Sequence, residues 1–391
     1  TSNSLWRNLY HNHFPQFKFL LGNQAVNYTN WISSYHKRYA ICSNIKQNKP
    51  KVKSFVNKNI QKIRTLANAF AFNTPEDITF VIYDYWENEC KYEDRPKINI
   101  PNDDFDFLSN DKLIAVGQDL VVYNLSRECV SVKASYKNAA NDSNSFLRSM
   151  DEYCFAITSN GETFLYDTRQ DIFSTKCIFE NEDRVITTSN NGSEFYVASP
   201  LSITAYDTRN PRGQILWKTA IREENTGYCD FNITLKRSLL GTSIIDLSTG
   251  QLISQYPVRR DILTPICGAI ANNQMAVFGL PSQDLVFFDY VDSQVKATYH
   301  FQNEDINSLC PSHLNGIIAV AADYDIKILK LPKGPNWEVE EARKLQTGSI
   351  ALRKNGQIGP IKQIVFDGER LLVNTTGFVR VYDFYTPKKT A

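Results

Sequence analysis

Phe164-Leu165-Tyr166-Asp167 is a short apolar run closed by an aromatic residue and an aspartate, and the same design returns along the chain. The other copies read Leu120-Val121-Val122-Tyr123-Asn124, Ile203-Thr204-Ala205-Tyr206-Asp207, Ser243-Ile244-Ile245-Asp246, Val286-Phe287-Phe288-Asp289, Ile326-Lys327-Ile328-Leu329-Lys330 and Val379-Arg380-Val381-Tyr382-Asp383. From one closing position to the next the steps are 43, 40, 39, 43, 41 and 53 residues. About forty residues hold four short strands and their turns, but no strand-plus-helix unit of ordinary size. Each of the seven copies therefore marks one four-stranded unit.

Around the copies the strands can be followed. In the last unit residues 361–366 run to a turn at Asp367-Gly368, residues 370–374 return, Thr376-Gly377 turns again, and residues 378–383 run out. Residues 275–279 with 285–289, and 317–321 with 326–329, repeat the pattern. A mainly β fold follows, a seven-bladed β-propeller, with eight blades the lesser alternative. The aspartates that end the copies are expected to cap tight turns with their carboxylates.

Upstream the period is helical. Leu5, Trp6, Leu9 and Tyr10 share a helix face, Trp31, Ile32, Tyr35 and Tyr39 share another, and Ile60, Ile63, Leu66, Ala67 and Phe70 predict a third helix over 54–70. The chain is accordingly divided into a helical part, 1–75, and a propeller, 76–391. Ile78-Thr79-Phe80-Val81-Ile82-Tyr83-Asp84 resembles the copies but lacks partner strands on this reading. After Asp383 only residues 384–391 remain, too few for a good fourth strand. Residues 78–84 are therefore expected to cross over and supply the outer strand of the last blade, leaving no free sheet edge.

With 391 residues and 42% apolar content the chain can bury a large core. It contains no run of eighteen apolar residues and no charged-then-apolar leader, so a soluble protein of the cytoplasm, the nucleus or both is expected. Eight cysteines stand at 42, 90, 129, 154, 177, 229, 267 and 310 without a Cys-x-x-Cys pair or a His at ligand spacing, and are expected to be reduced and mostly buried. Asn191-Gly192-Ser193 and Asn232-Ile233-Thr234 match the glycosylation triplet, which an Asn-rich chain produces by chance.

The net charge of +1 conceals an asymmetry. Residues 1–75 carry eleven basic and no acidic side chains, which leaves 32 basic against 42 acidic side chains in the rest. Such a division points to an acidic partner at the basic end, to contact between the two parts, or to nucleic acid. The lysines from 46 to 62 lie beside few aromatic residues suited to base stacking, which disfavours nucleic acid.

The repeats resemble those of WD-repeat proteins in degenerate form, with Tyr-Asp, Phe-Asp or Ile-Asp in place of Trp-Asp and no Gly-His dipeptide. Ser4-Leu5-Trp6-Arg7-Asn8-Leu9-Tyr10, then Phe14-Pro15, then Trp31 with Tyr35, Lys37, Arg38 and Tyr39, is similar to the end of an F-box and the helix that often follows it. Most of an F-box lies upstream of such a motif, so only its end is expected here. Together the two parts resemble an F-box/WD-repeat protein, and the Asn- and Lys-rich composition resembles a fungal one. The resemblance implies the substrate receptor of a Skp-cullin-F-box ubiquitin ligase, with Leu5, Trp6, Leu9 and Phe14 toward an acidic adaptor and, through it, the cullin.

No nucleotide loop, zinc-protease helix or nucleophile elbow is present, and the five histidines are dispersed, so no catalytic residue, metal or cofactor is expected. Binding is expected on the face that gathers the second-to-third-strand turns and the links between blades. The links are expected at 180–184, 222–228, 257–263, 302–307 and 335–359. The turns include Gln118-Asp119, Tyr324-Asp325 and Thr376-Gly377-Phe378. Arg184, Arg222, Tyr228, Arg259, Arg260, Tyr324, Arg353, Lys354 and Phe378 are the candidate substrate-binding residues. Glu180, Asp183, Glu223, Glu224, Glu304 and Asp305 mix the sign of that face, and only Arg259-Arg260 starts a phosphate-clamping cluster. A folded surface or an unmodified segment is therefore the favoured target, with phosphate reading second; a scaffold with a basic arm is the alternative to the ligase.

Overall fold

The computed structural model describes residues 45, 50–56, 60–66, 69–74, 76–84, 91–94, 98–99, 104–109, 112–117, 119–125, 130–137, 146–149, 154–159, 162–167, 176–180, 185–208, 214–221, 228–258, 264–301, 305–312, 316–332, 334, 337–346, 359–366, 370–375 and 377–384. Every bounded element among them is a β-strand. The first, β1 (Lys51–Val56), belongs to the last sheet. Blade 1 is β2 (Lys62–Leu66), β3 (Ala69–Asn73), β4 (Asp77–Asp84) and β5 (Lys91–Asp94), with β6 (Ile98–Asn99) also paired to β4. Blade 2 is β7 (Asp104–Ser109), β8 (Lys112–Val116), β9 (Asp119–Leu125) and β10 (Val130–Lys137). Blade 3 is β11 (Phe146–Ser149), β12 (Cys154–Ser159), β13 (Glu162–Asp167) and β14 (Lys176–Glu180). Blade 4 is β15 (Thr187–Asn190), β16 (Glu194–Ala198), β17 (Ser202–Asp207) and β18 (Ile215–Ala220). Blade 5 is β19 (Cys229–Asn232), β20 (Arg237–Leu240), β21 (Ser243–Asp246) and β22 (Leu252–Gln255). Blade 6 is β23 (Cys267–Ile270), β24 (Met275–Gly279), β25 (Asp284–Asp289) and β26 (Gln294–His300). Blade 7 is β27 (Ile306–Ser312), β28 (Ile317–Ala322), β29 (Asp325–Lys330) and β30 (Glu341–Gln346). Blade 8 is β31 (Ile361–Phe366), β32 (Arg370–Thr375) and β33 (Phe378–Asp383), completed by β1.

There are thus eight blades where the sequence favoured seven, and the miss has one cause. All seven quoted copies are third strands: β9, β13, β17, β21, β25, β29 and β33. Residues 78–84 do not complete the last blade; they form β4, the third strand of a blade of their own, paired with β3. The expected helix over 54–70 is not formed either, because that stretch contains part of β1, all of β2 and the start of β3. Ile60, Ile63 and Phe70 are buried at a spacing that mimics a helix, but Ile63 is flanked by Lys62 and Arg64 on the other face of a strand. The completing strand is β1, antiparallel to β33 from Lys51↔Asp383 to Val56↔Phe378. The stretch 335–359 is not one long link, since β30 lies within it. The helices expected upstream of residue 45 fall outside the described residues.

The burial pattern follows from stacking sheets face to face. Second strands such as β24 and β32 are buried at every position, because each of their faces meets hydrophobic side chains, while outer strands such as β18 and β26 are largely exposed. The chain forms two compact units, one of blades 1 to 5 and one of blades 6 to 8. In the first, Phe80 and Ile78 of blade 1 pack on Phe105, Phe107 and Leu113 of blade 2, and Leu120 and Val122 of blade 2 pack on Phe155, Phe164 and Tyr166 of blade 3. In the second, Ile317, Ala319 and Ile328 of blade 7 pack on Leu371, Val373 and Tyr382 of blade 8.

Expected turn caps are present. Asp246 Oδ1 accepts the N–H groups of Ser248 and Thr249 at 2.8 and 3.2 Å, and Asp289 Oδ1 accepts those of Val291 and Asp292, each at 3.0 Å.

Candidate functional site

The first strands of consecutive blades lie side by side: β2 by β7, β7 by β11, β11 by β15 in one unit, and β27 by β31 in the other. The facing edge of a first strand carries N–H groups that its own blade does not use, and side chains of the preceding blade accept them. Asp104 Oδ2 accepts Leu147 N–H at 3.1 Å, and two residues on, Asp106 Oδ2 accepts Ser149 N–H at 3.0 Å. Ser308 Oγ and Cys310 Sγ do the same for Ile364 and Phe366, at 3.4 and 3.2 Å. The period of two puts both acceptors of each pair on one face of their strand. Carbonyls are served in turn, as Arg148 Nε donates to Thr188 O at 3.0 Å and Asn190 Nδ2 to Ser149 O at 2.7 Å.

Within this ladder one group stands out. Asp104 is fully buried, yet three cations meet it: Lys62 Nζ at 3.1 Å, Arg64 Nη2 at 3.3 Å and Arg148 Nη1 at 3.7 Å. Burial alone would raise its pKa, but Arg64, Lys62, Arg148 and the Leu147 N–H outweigh it and hold the carboxyl below the ordinary aspartate value. Burial also pushes the Lys62 ammonium below the ordinary lysine value, against the pull of Asp104. Burial and the like charge of Arg64 lower Arg148. Lys62 further lies over the Phe146 ring, 5.6 Å from its centroid, and Arg64 Nε donates to Phe105 O at 3.3 Å. Side chains from β2, β7 and β11 are thus bound into one charged knot across three blades.

The sequence pattern does not point to these residues, because the apolar spacing over 54–70 predicts a helix across Lys62 and Arg64. Their signal was the alternation Lys62-Ile63-Arg64, matched by Asp104-Phe105-Asp106-Phe107, polar and apolar in strict turn.

Of the sequence-derived substrate residues, Tyr228, Tyr324 and Phe378 are described. Tyr228 is half-buried at the head of blade 5, and Tyr324 is half-buried in the turn between β28 and β29. Phe378 is 7% exposed and covered by the Arg380 guanidinium at 4.8 Å, which makes it a core residue of blade 8. Arg184, Arg222, Arg259, Arg260, Arg353 and Lys354, with Leu5, Trp6, Leu9 and Phe14, lie outside the described residues. The asparagines of both glycosylation triplets are engaged in the fold. Asn191 Nδ2 donates to Glu194 Oε2 at 2.7 Å and Tyr196 Oη at 3.0 Å, and Asn232 is buried with its Oδ1 on Leu235 N–H. Among the described residues no three His, Cys, Asp or Glu could hold a metal ion together, and no helix is long and apolar enough to cross a membrane.

No family model and no curated protein matches the chain by sequence. Solved structures do match it by shape. The C-terminal WD40 domain of Sif2 is similar with a TM-score of 0.61 and 11% identity, over 85% of this chain and 99% of that one. BamB from Moraxella catarrhalis is similar with a TM-score of 0.56 and 12% identity, over 86% and 99%. The computationally designed Ika8 protein gives a TM-score of 0.58 at 12% identity, over 83% and 96%. The fold is a WD40-like β-propeller of eight blades, and likeness at this identity speaks for the fold alone.

Proposed function

We propose that the protein is a non-catalytic propeller that binds a protein partner, and that it acts as the substrate-recognition subunit of a Skp-cullin-F-box ubiquitin ligase in the cytoplasm, the nucleus or both. The observation that carries the binding role is the eightfold repetition of one blade, which offers eight sets of turns and links. The ligase role is supported by the resemblance of residues 4–39 to the end of an F-box, with Leu5, Trp6, Leu9 and Phe14 toward the adaptor. In that role the chain holds a substrate near the ubiquitin-carrying enzyme and accelerates transfer by proximity, making no covalent bond itself.

The second reading is a non-enzymatic scaffold whose basic arm contacts an acidic protein or nucleic acid, and the propeller fold is consistent with it. Lys51 and Lys53 lie in β1, and Lys62 and Arg64 are engaged by Asp104, so part of the positive charge of residues 1–75 belongs to blades. The test is co-purification of the full chain with a purified Skp-type adaptor. Binding by the parent that is lost in Trp6→Ala and kept in Arg259→Ala is the expected result. A parent chain that does not retain the adaptor would leave only the binding platform.

A further inference from the structure

The knot around Asp104 holds more positive charge than its own fold needs. Among the described residues Lys62, Arg64 and Arg148 face two carboxylates, Asp104 and Asp106, and these are already committed. Asp104 is sunk at 0% exposure and accepts two backbone N–H groups, from Phe105 and Leu147. Asp106 accepts the Phe107 and Ser149 N–H groups and the Ser149 hydroxyl. The three cations, by contrast, keep solvent contact, their side chains being 32%, 22% and 19% exposed. Arg64 uses Nε and Nη2, and Arg148 uses Nε and Nη1; Arg64 Nη1 and Arg148 Nη2 have no acceptor among the described residues. Arginine carries five donors and no acceptor, so what remains on the open side of the knot is donors alone.

A carboxylate buried behind and cations in front also fixes the cations in place. The two guanidinium groups are held at their inner nitrogens by carbonyls of β7, β11 and β15, which removes most of the rotamer freedom that a surface arginine would lose on binding an anion. An apolar wall is close by, since Lys62 lies over the Phe146 ring. Residual positive charge, preset donors and partial desolvation are together what an oxyanion site requires.

We infer that Lys62, Arg64 and Arg148 form a receptor for a single oxyanion group, of the size of one phosphate or one carboxylate, at the open side of Asp104. The anion takes Arg64 Nη1, Arg148 Nη2 and the Lys62 ammonium, one charge-assisted contact from each cation. The group belongs either to a phosphate or to a carboxylate side chain, and the two share this chemistry. The inference does not rest on the ligase reading, and its experiment needs no partner protein.

The experiment titrates the full-length chain with inorganic phosphate, and separately with acetate, by calorimetry at constant ionic strength in chloride. Saturable one-site binding of phosphate is expected, weakened about fivefold or more in Lys62→Gln, which removes one charge-assisted donor. Asp106→Asn raises the local positive charge and is expected to tighten binding, an effect that a purely structural clamp would not produce. Phosphate binding without acetate binding assigns the phosphate source, and binding of both admits a carboxylate. Circular dichroism checks that each variant is folded. No saturable heat with either anion, or equal heats in the parent, Lys62→Gln and Asp106→Asn, would overturn the inference, because non-specific salt effects act on all three alike.

Discussion

At the residue scale, Asp104 and Gly250 carry the sharpest consequences. Asp104 is a depressed carboxylate, so its contribution to stability is in full force above the ordinary aspartate pKa near 4 and is lost as pH falls through its lower folded value. Acid unfolding of the parent chain should therefore steepen below about pH 4, while Asp104→Asn should show a flatter profile in that window. At neutral pH the same variant leaves three cations facing one another and is expected to lose about 3–5 kcal/mol, read from urea midpoints. Gly250 has φ of +72°, and a Cβ there would stand 2.6 Å from the Trp217 ring of the preceding blade. Gly192 has φ of +90° with nothing within 4 Å. Gly192→Ala should then cost about 1–2 kcal/mol of backbone strain, and Gly250→Ala about 1–3 kcal/mol more for the ring it displaces. Equal losses in the two variants would show that Trp217 moves aside freely.

At the element scale, outer strands share a device that no composition reveals. In each of six third-to-fourth-strand pairs the register shifts by one residue, and the extra residue always lies on the outer strand: Lys133, Ile178, Leu216, Ile253, Lys296 and Ala342. A bulge bends an edge strand and makes it a poor template for another chain. Deleting Leu216 should straighten β18, turn Ile215 or Trp217 to the wrong face, and increase light scattering on incubation, whereas Leu216→Asn keeps the bulge and should stay clear. Third strands were legible in the sequence because they are largely buried on both faces and five of the seven copies close on Asp, so they read as apolar runs with a recurring terminus. Outer strands were not, since exposed stretches such as Ile215–Ala220 carry little pattern. The same bias made β4 visible and hid β2, where Lys62 and Arg64 interrupt the apolar run, while Phe70 of β3 fits the stripe of the expected helix. The charged knot was hidden with them, because its members meet only through strand neighbours some forty residues apart.

At the scale of the whole molecule, one pairing spans nearly the entire chain. Arg380 Nε donates to Ser54 Oγ across 326 residues, and blade 8 is not complete until β1 reaches β33. Closing so long a loop costs about 3 kcal/mol more than closing a hairpin-sized one, by the logarithmic dependence on length. A permuted chain that begins at Ile60 and carries residues 51–56 after a short turn beyond Asp383 turns that pairing into a hairpin. It should fold several-fold faster than the parent in stopped-flow refolding, with the same circular dichroism. Unchanged rates would mean that β1 docks after the rate-limiting step. The pairing Lys51↔Asp383 has a further result for anything joined to this protein. Paired Cα atoms on antiparallel strands are about 5 Å apart, so the segment leading into Lys51 and the segment leaving Asp383 start from a common anchor point. Dyes placed at residues 50 and 384 would therefore report on a single locus.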